Sequence, residues 1–329
     1  DQILIIGFAA LIVNTATVFQ DVAADGLTVD ILLEDERAIG GSLGSGGYSL
    51  GVAAAAALAG ALVYAFGIGA AYLVGALLLG CVTIYMVFTL EREGERRMPW
   101  SAGSASPVSQ SFSVGAWWPL VKETLQNTIK PLHLVWLFFL VIRGLTYGFL
   151  IIIVPLVATQ YGNWDQTQLN NFNATSQMIS AIVAITIGGI LVRWIGSQRS
   201  IILFKILLIS GLVALAMLTD GWSDSRILIV LFIIANLLDT MISIGSTVFN
   251  MRFSPPRIAA TQFSIFMALK NQGITLAGIL VASFAFLSEP LGMIWFLIGC
   301  LSVGLLIVLF VSFPRRQVGT EPAGHETAT

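Results

Sequence analysis

VNTATVFQDVAADGLTVDILLE, Val13–Glu34, decides how the rest of the chain is read. It lies in an otherwise apolar segment that begins at Ile3. Within it Asn14, Thr17, Asp21, Asp25 and Thr28 recur at steps of three and four. On a helix that spacing gathers them into one polar stripe, while Ile, Leu, Val, Phe and Ala fill the other faces. A carboxylate near the middle of a bilayer costs roughly 2.5–3.5 kcal/mol on insertion scales. Two acids one turn apart are therefore expected to face water, a cation or a protonated partner, inside a bundle of membrane helices built around them.

Composition supports that setting. The chain of 329 residues is 57% hydrophobic and 10% charged, and its mean hydropathy is +0.89. Ordinary soluble domains carry about 25% charged residues. The class expected is an all-α polytopic membrane protein. A net charge of -2 gives no reason to expect a nucleic-acid partner. Cys81 and Cys300 both lie in apolar runs, which argues against a disulfide framework or a metal cluster. No metal-ligand pair at helical spacing and no Ser–His–Asp arrangement is visible, so no enzyme, metal or cofactor is expected. No cleavable signal peptide is visible either. The chain opens on Asp1 and runs straight into a helix, and an upstream portion is expected to be missing.

A spanning helix needs about 20 mainly apolar residues. Nine such spans are expected, near Ile3–Leu33, Gly44–Phe66, Ile68–Leu90, His133–Thr159, Phe172–Val192, Ser200–Leu218, Arg226–Phe249, Ile258–Leu287 and Leu291–Phe313. One set of connections holds Arg37; Arg92, Arg96, Arg97, Lys122 and Lys130; Arg193 and Arg199; Arg252 and Arg257; and Arg315 and Arg316. The opposite connections, near Gly67, Ala158–Asn171, Thr219–Ser225 and Ser288–Pro290, hold no Lys or Arg. Positive residues favour the cytoplasmic side. The loop after the first span and the C-terminus are therefore expected inside, and Asp1 outside.

The domains expected are residues 1–90, with three spans; a cytoplasmic linker at 91–131; a six-span unit at 132–314; and a tail at 315–329. The linker begins with EREGERR and continues through the flexible SAGSASPVSQS. It closes on Val114–Lys130, whose Val114, Trp117, Trp118, Val121, Leu125 and Ile129 recur at helical spacing. This segment is either a helix lying in the membrane interface or a plain connector. GSLGSGG, Gly41–Gly47, lacks the Lys of a phosphate loop and reads as close helix packing.

A second polar stripe runs along the seventh span, through Asn236, Asp239, Ser243, Ser246 and Asn250. The fourth span carries Arg143 and Tyr147 one turn apart, and the eighth carries Gln262 and Lys270 on one face. Ionisable residues inside spans mark substrate or proton pathways. Each has an assembly role as its alternative. Asp21 and Asp25 could instead be held by Arg143 or Lys270, Asp239 could accept a structural hydrogen bond, and Lys270 could be structural.

Two segments resemble a known family. FQDVAADGLTVDILLEDERAIGGSLGSGGYSLG, Phe19–Gly51, is similar to the fourth-to-fifth-helix region of the muropeptide permeases (AmpG-like), a peptide–acetyl-CoA–drug branch of the major facilitator superfamily. Gln20, Asp21, Asp25, Gly26, Glu36, Arg37, Gly47 and Tyr48 match its pattern. MRFSPPRIAATQFSIFMALKNQG, Met251–Gly273, resembles the tenth-to-eleventh-helix segment, through Pro256, Arg257, Ala259, Ala260, Thr261 and Gln262. The resemblance implies a major facilitator bundle of which nine of twelve helices are present, with alternating access around a central cavity. It departs from the family in two places. Arg193 in GILVRWIGSQR stands where an acid would form a gate salt bridge. Arg143–Gly144 keeps the cation and glycine of the seventh-helix pattern without the acid that follows.

The function this implies is proton-coupled uptake of an anionic muropeptide-like solute across the bacterial cytoplasmic membrane, by a monomer whose only other partners are protons and lipid. Asp21 and Asp25 are the candidate proton-coupling residues. Arg143, Tyr147, Asn236, Asp239, Gln262 and Lys270 are the candidate substrate-binding residues, and Arg37 and Arg257 the candidate cytoplasmic gate. A carrier of another substrate (sugar, drug or acyl-CoA) and a non-transporting assembly or pigment-delivery factor are the alternatives.

Overall fold

The computed structural model describes residues 2–90, 94, 96, 100–104 and 117–311. Among them, nine helices are long and apolar enough to cross a membrane. The helices are α1 (Gln2–Ile31), α2 (Arg37–Phe66), α3 (Ile68–Phe88), α4 (Trp117–Thr128), α5 (Pro131–Gln160), α6 (Gln166–Val183), α7 (Gly189–Ile195), α8 (Ser197–Met217), α9 (Ser225–Arg252), α10 (Ala259–Ser283) and α11 (Pro290–Phe310). A π-helical segment, Ala184–Gly188, joins α6 to α7, so that 166–195 crosses as one element.

The helix ends follow local chemistry. Pro131 and Pro290 open α5 and α11, where a missing N–H costs nothing. Asp165 caps α6: its carboxylate accepts from the Gln168 backbone N–H, and the Gln168 side chain accepts from the Asp165 backbone N–H. Asp224 caps α9 by accepting from the Arg226 N–H.

The residues 132–311 are held around α5, which packs on α10 and α11, while α8 packs on α9 and α11. Small residues set the α5–α10 crossing. A Cβ on Gly144 would fall on the Lys270 carbonyl, and one on Gly148 would lie 2.7 Å from the Ala277 Cβ. Gly144, Gly148, Gly273 and Ala277 thus form facing small-x-x-x-small pairs, the usual route to close helix contact in lipid, where apolar burial gives little drive. Next to this crossing, Trp136 stacks on Phe139 at 4.7 Å and donates its indole N–H to Asn250 at 2.8 Å.

The two groups of helices meet at the Arg-rich end. There α1 lays Val29 against Met251, Ala259 and Phe263, and Gly26 faces Ala260 so closely that a Cβ would sit 2.7 Å from the Ala260 Cβ. α2 packs on α6, α7 and α9. It begins at Arg37, well before the expected Gly44, because the Gly/Ser run is helical; Gly41 and Gly46 are the points of approach to Thr247 and to Ile185. Toward the other end α1 stands free, with residues 4–21 exposed. α3 packs on α2.

Most of the linker's charged run and most of its Gly/Ser stretch lie outside the described residues, as do Val114 and the tail after Val311. The described part, α4, exposes Trp117 and Trp118 on one side. On its other side it buries Thr124 and Asn127, and Asn127 and Thr128 donate to the Gln262 side chain at 3.4 and 3.2 Å.

Candidate functional site

Arg143 and Asp239 form the centre. Helix rise places Arg143 about 18 Å and Asp239 about 20 Å from the Arg-rich ends of α5 and α9, near mid-membrane. Nη2 of Arg143 donates to Oδ2 of Asp239 at 2.7 Å and to the Asp239 backbone carbonyl at 2.9 Å. Nη1 stands 2.7 Å from Oδ1 as an ionic contact, off the direction of a hydrogen bond. Both side chains are buried, 3% and 7% exposed. A guanidinium so deep needs a counter-charge, and the carboxylate opposite it offsets part of the cost of burying it.

Other polar groups converge on the pair. Half-buried Lys270 of α10 feels the charges of both Arg143 and Asp239. Tyr147, one turn along α5, feels them too, and is close to Tyr48 of α2, on the other group of helices. Asn236, one turn from Asp239, donates to Ser176 of α6 at 2.9 Å. The structure thus gathers Arg143, Tyr147, Asn236, Asp239 and Lys270 from three helices. The stripe's hydroxyls turn inward to their own helix instead: Thr240, Ser246 and Thr247 each bond the carbonyl four residues back. Gln262 is fully buried but belongs to the α4 contact, away from this cluster.

Asp21 is exposed and Asp25 half-buried on α1, one turn apart and each within the other's field. Neither forms an ion pair with Arg143 or Lys270 among the described residues; Arg143 takes its acid from α9.

A second set of charges closes the Arg-rich end. Glu34, in the connection between α1 and α2, accepts from Arg37 at 2.7 Å and from Arg252 of α9 at 2.5 Å. Asp35 accepts from Arg193 of α7 at 3.0 Å. The sequence offered no acid beside Arg193, and the structure brings Asp35 to it from 158 residues away. Arg37 is in this network. Arg257 is not: it lies 3.6 Å from Glu123 of α4 and is largely exposed.

One buried cation escaped the sequence reading altogether. Lys205, inside α8, is fully buried, with its ammonium 5.1 Å over the Phe139 ring. Its signal was present, a lysine in ILFKILLI, but it belongs to no stripe and no loop.

The family model of the Major Facilitator Superfamily matches residues 3–278. The chain belongs to the major facilitator superfamily. It is a multi-pass membrane protein of a family of secondary transporters, whose members are typically not enzymes and act on small-molecule substrates within lipid. Comparison with curated proteins gives no match.

Proposed function

We propose that the protein is a proton-coupled importer of an anionic muropeptide-like solute, working as a monomer in a bacterial cytoplasmic membrane. The observation that carries this reading is the buried Arg143–Asp239 pair with Lys270 beside it. Two cations share one acid there, so the cluster has room for one further negative charge. A guanidinium fork suits a carboxylate or phosphate. Tyr147 and Asn236, each one turn from a member of the pair, offer neutral hydrogen-bonding groups next to it. The two muropeptide-permease-like segments favour a cell-wall fragment as the anion.

Asp21 and Asp25 take the proton in this account. Neutralising a carboxylate removes the cost of carrying its charge through the closed state. The Glu34 and Asp35 bridges hold the Arg-rich end shut, which faces the cytoplasm on the distribution of Arg and Lys.

The test is uptake of labelled anhydro-muropeptide by the full-length protein in membrane vesicles, with and without an imposed proton gradient. Gradient-dependent accumulation is expected. Equal uptake with and without the gradient, from folded protein, overturns the coupling. No uptake at all overturns the substrate.

A further inference from the structure

Lys205 is the buried charge that this account leaves without a task. It has no hydrogen-bond acceptor, and its Nζ lies so near Gly304 that a Cβ there would stand 2.8 Å away. The ionisable groups that act on it are Arg143 from α5, Asp239 from α9 and Cys300 from α11. Asp239 is the acid of the set. Phe139, over which the ammonium sits, is one turn of α5 from Arg143, and the Gly304 Cβ position that lies 2.8 Å from Nζ lies 3.4 Å from Cγ2 of Ile142, the residue before Arg143. Oδ1 of Asp239 is also without a hydrogen-bond donor, although Arg143 is close. A buried donor lacking an acceptor and a buried acceptor lacking a donor therefore share one cluster.

We propose that Lys205 is the standby counter-ion of Asp239: when the anionic group of a solute takes the Arg143 guanidinium, the Asp239 carboxylate turns to Lys205. This rests on Arg143 being the anion receptor. Once Arg143 and Lys270 both face the incoming negative charge, Lys205 is the cation left for the Asp239 carboxylate, and a buried carboxylate stranded without one is costly. With Lys205, each acid keeps one cation. A compact ammonium on a flexible stem suits a partner that must be reached rather than clamped. Phe139 holds it meanwhile, by cation–π contact.

The exchange is testable without any ligand. In purified full-length protein, Arg143→Met should lower the apparent Tm little, because Asp239 moves to Lys205, and Lys205→Met alone should be near neutral. Arg143→Met with Lys205→Met should lower it by about 5–10 °C more than the two singles sum to. Adding Asp239→Asn should recover most of that loss. Additive losses overturn the proposal. A second arm measures binding of labelled anhydro-muropeptide. Lys205→Met should weaken it at least tenfold, and Asp239→Asn in the same protein should restore it to within a few-fold. If Lys205→Met binds as the parent does, the standby role fails while the receptor reading stands. If Arg143→Met binds as the parent does, the receptor reading fails, and the solute trigger with it, whatever the stability cycle gives.

Discussion

Arg143 holds Asp239 twice, at the carboxylate and at the backbone carbonyl of the same residue. The guanidinium thus fixes a side chain and a turn of α9 together, and α5 cannot slide on α9 without breaking both. This pair is the deepest ion pair among the described residues.

Removing the acid alone leaves Arg143 buried without its partner. Asp239→Leu should cost about 3–5 kcal/mol, read as a large loss of apparent Tm and of folded yield. Arg143→Met together with Asp239→Leu should regain most of that stability, because the guanidinium is no longer stranded, but should not regain transport. Recovery of transport in the double variant would remove the pair from the binding site.

Nothing in the sequence says which of three intramembrane acids Arg143 meets. The stripes on α1 and α9 were legible because helical spacing repeats every three or four residues, and the number of spans followed from hydropathy alone. Partners were not. Glu34 and Arg252 are 218 residues apart and Asp35 and Arg193 are 158 apart, so periodicity cannot join them. Gln262 shows the same limit from the other side. It shares a helix face with Lys270, yet it serves α4, because a face spans the whole membrane while a site occupies one depth. Lys205 was illegible for a different reason, since a lone lysine among apolar neighbours makes no pattern. The small residues of α5 and α10 became meaningful only once the two helices were seen to cross.

The gate bridges are partly exposed, so each is worth little alone, about 0.2–1 kcal/mol. Glu34→Gln with Asp35→Asn removes three of them. The expected loss is about 1–2 kcal/mol, roughly a five- to thirtyfold shift toward an open Arg-rich end. Val29 reports it, being 4% exposed against Met251, Ala259 and Phe263. Alkylation of a Val29→Cys protein should speed up by that factor. An unchanged rate would show that apolar packing alone holds this end closed.

Gly144 has no room for a side chain. Gly144→Ala should force α5 away from the Lys270 carbonyl and cost about 1–3 kcal/mol, seen as lost folded protein in detergent. Gly278, on α10 with open space around its Cβ position, is the control, and alanine there should be near neutral or better.

Asp21→Asn and Asp25→Asn separate coupling from binding. Both should leave anhydro-muropeptide binding within a few-fold of the parent. One or both should abolish gradient-driven accumulation while exchange across the membrane persists. Gradient-driven accumulation in the double variant would move the proton site elsewhere.

The central claim is that Arg143 recognises the charge of the solute. It is tested most directly by comparing the binding of anhydro-muropeptide with that of its fully amidated, uncharged analogue, in the parent and in Arg143→Gln. The parent should prefer the anion at least tenfold, about 1.4 kcal/mol, and Arg143→Gln should show no preference. The same preference in both proteins would contradict it.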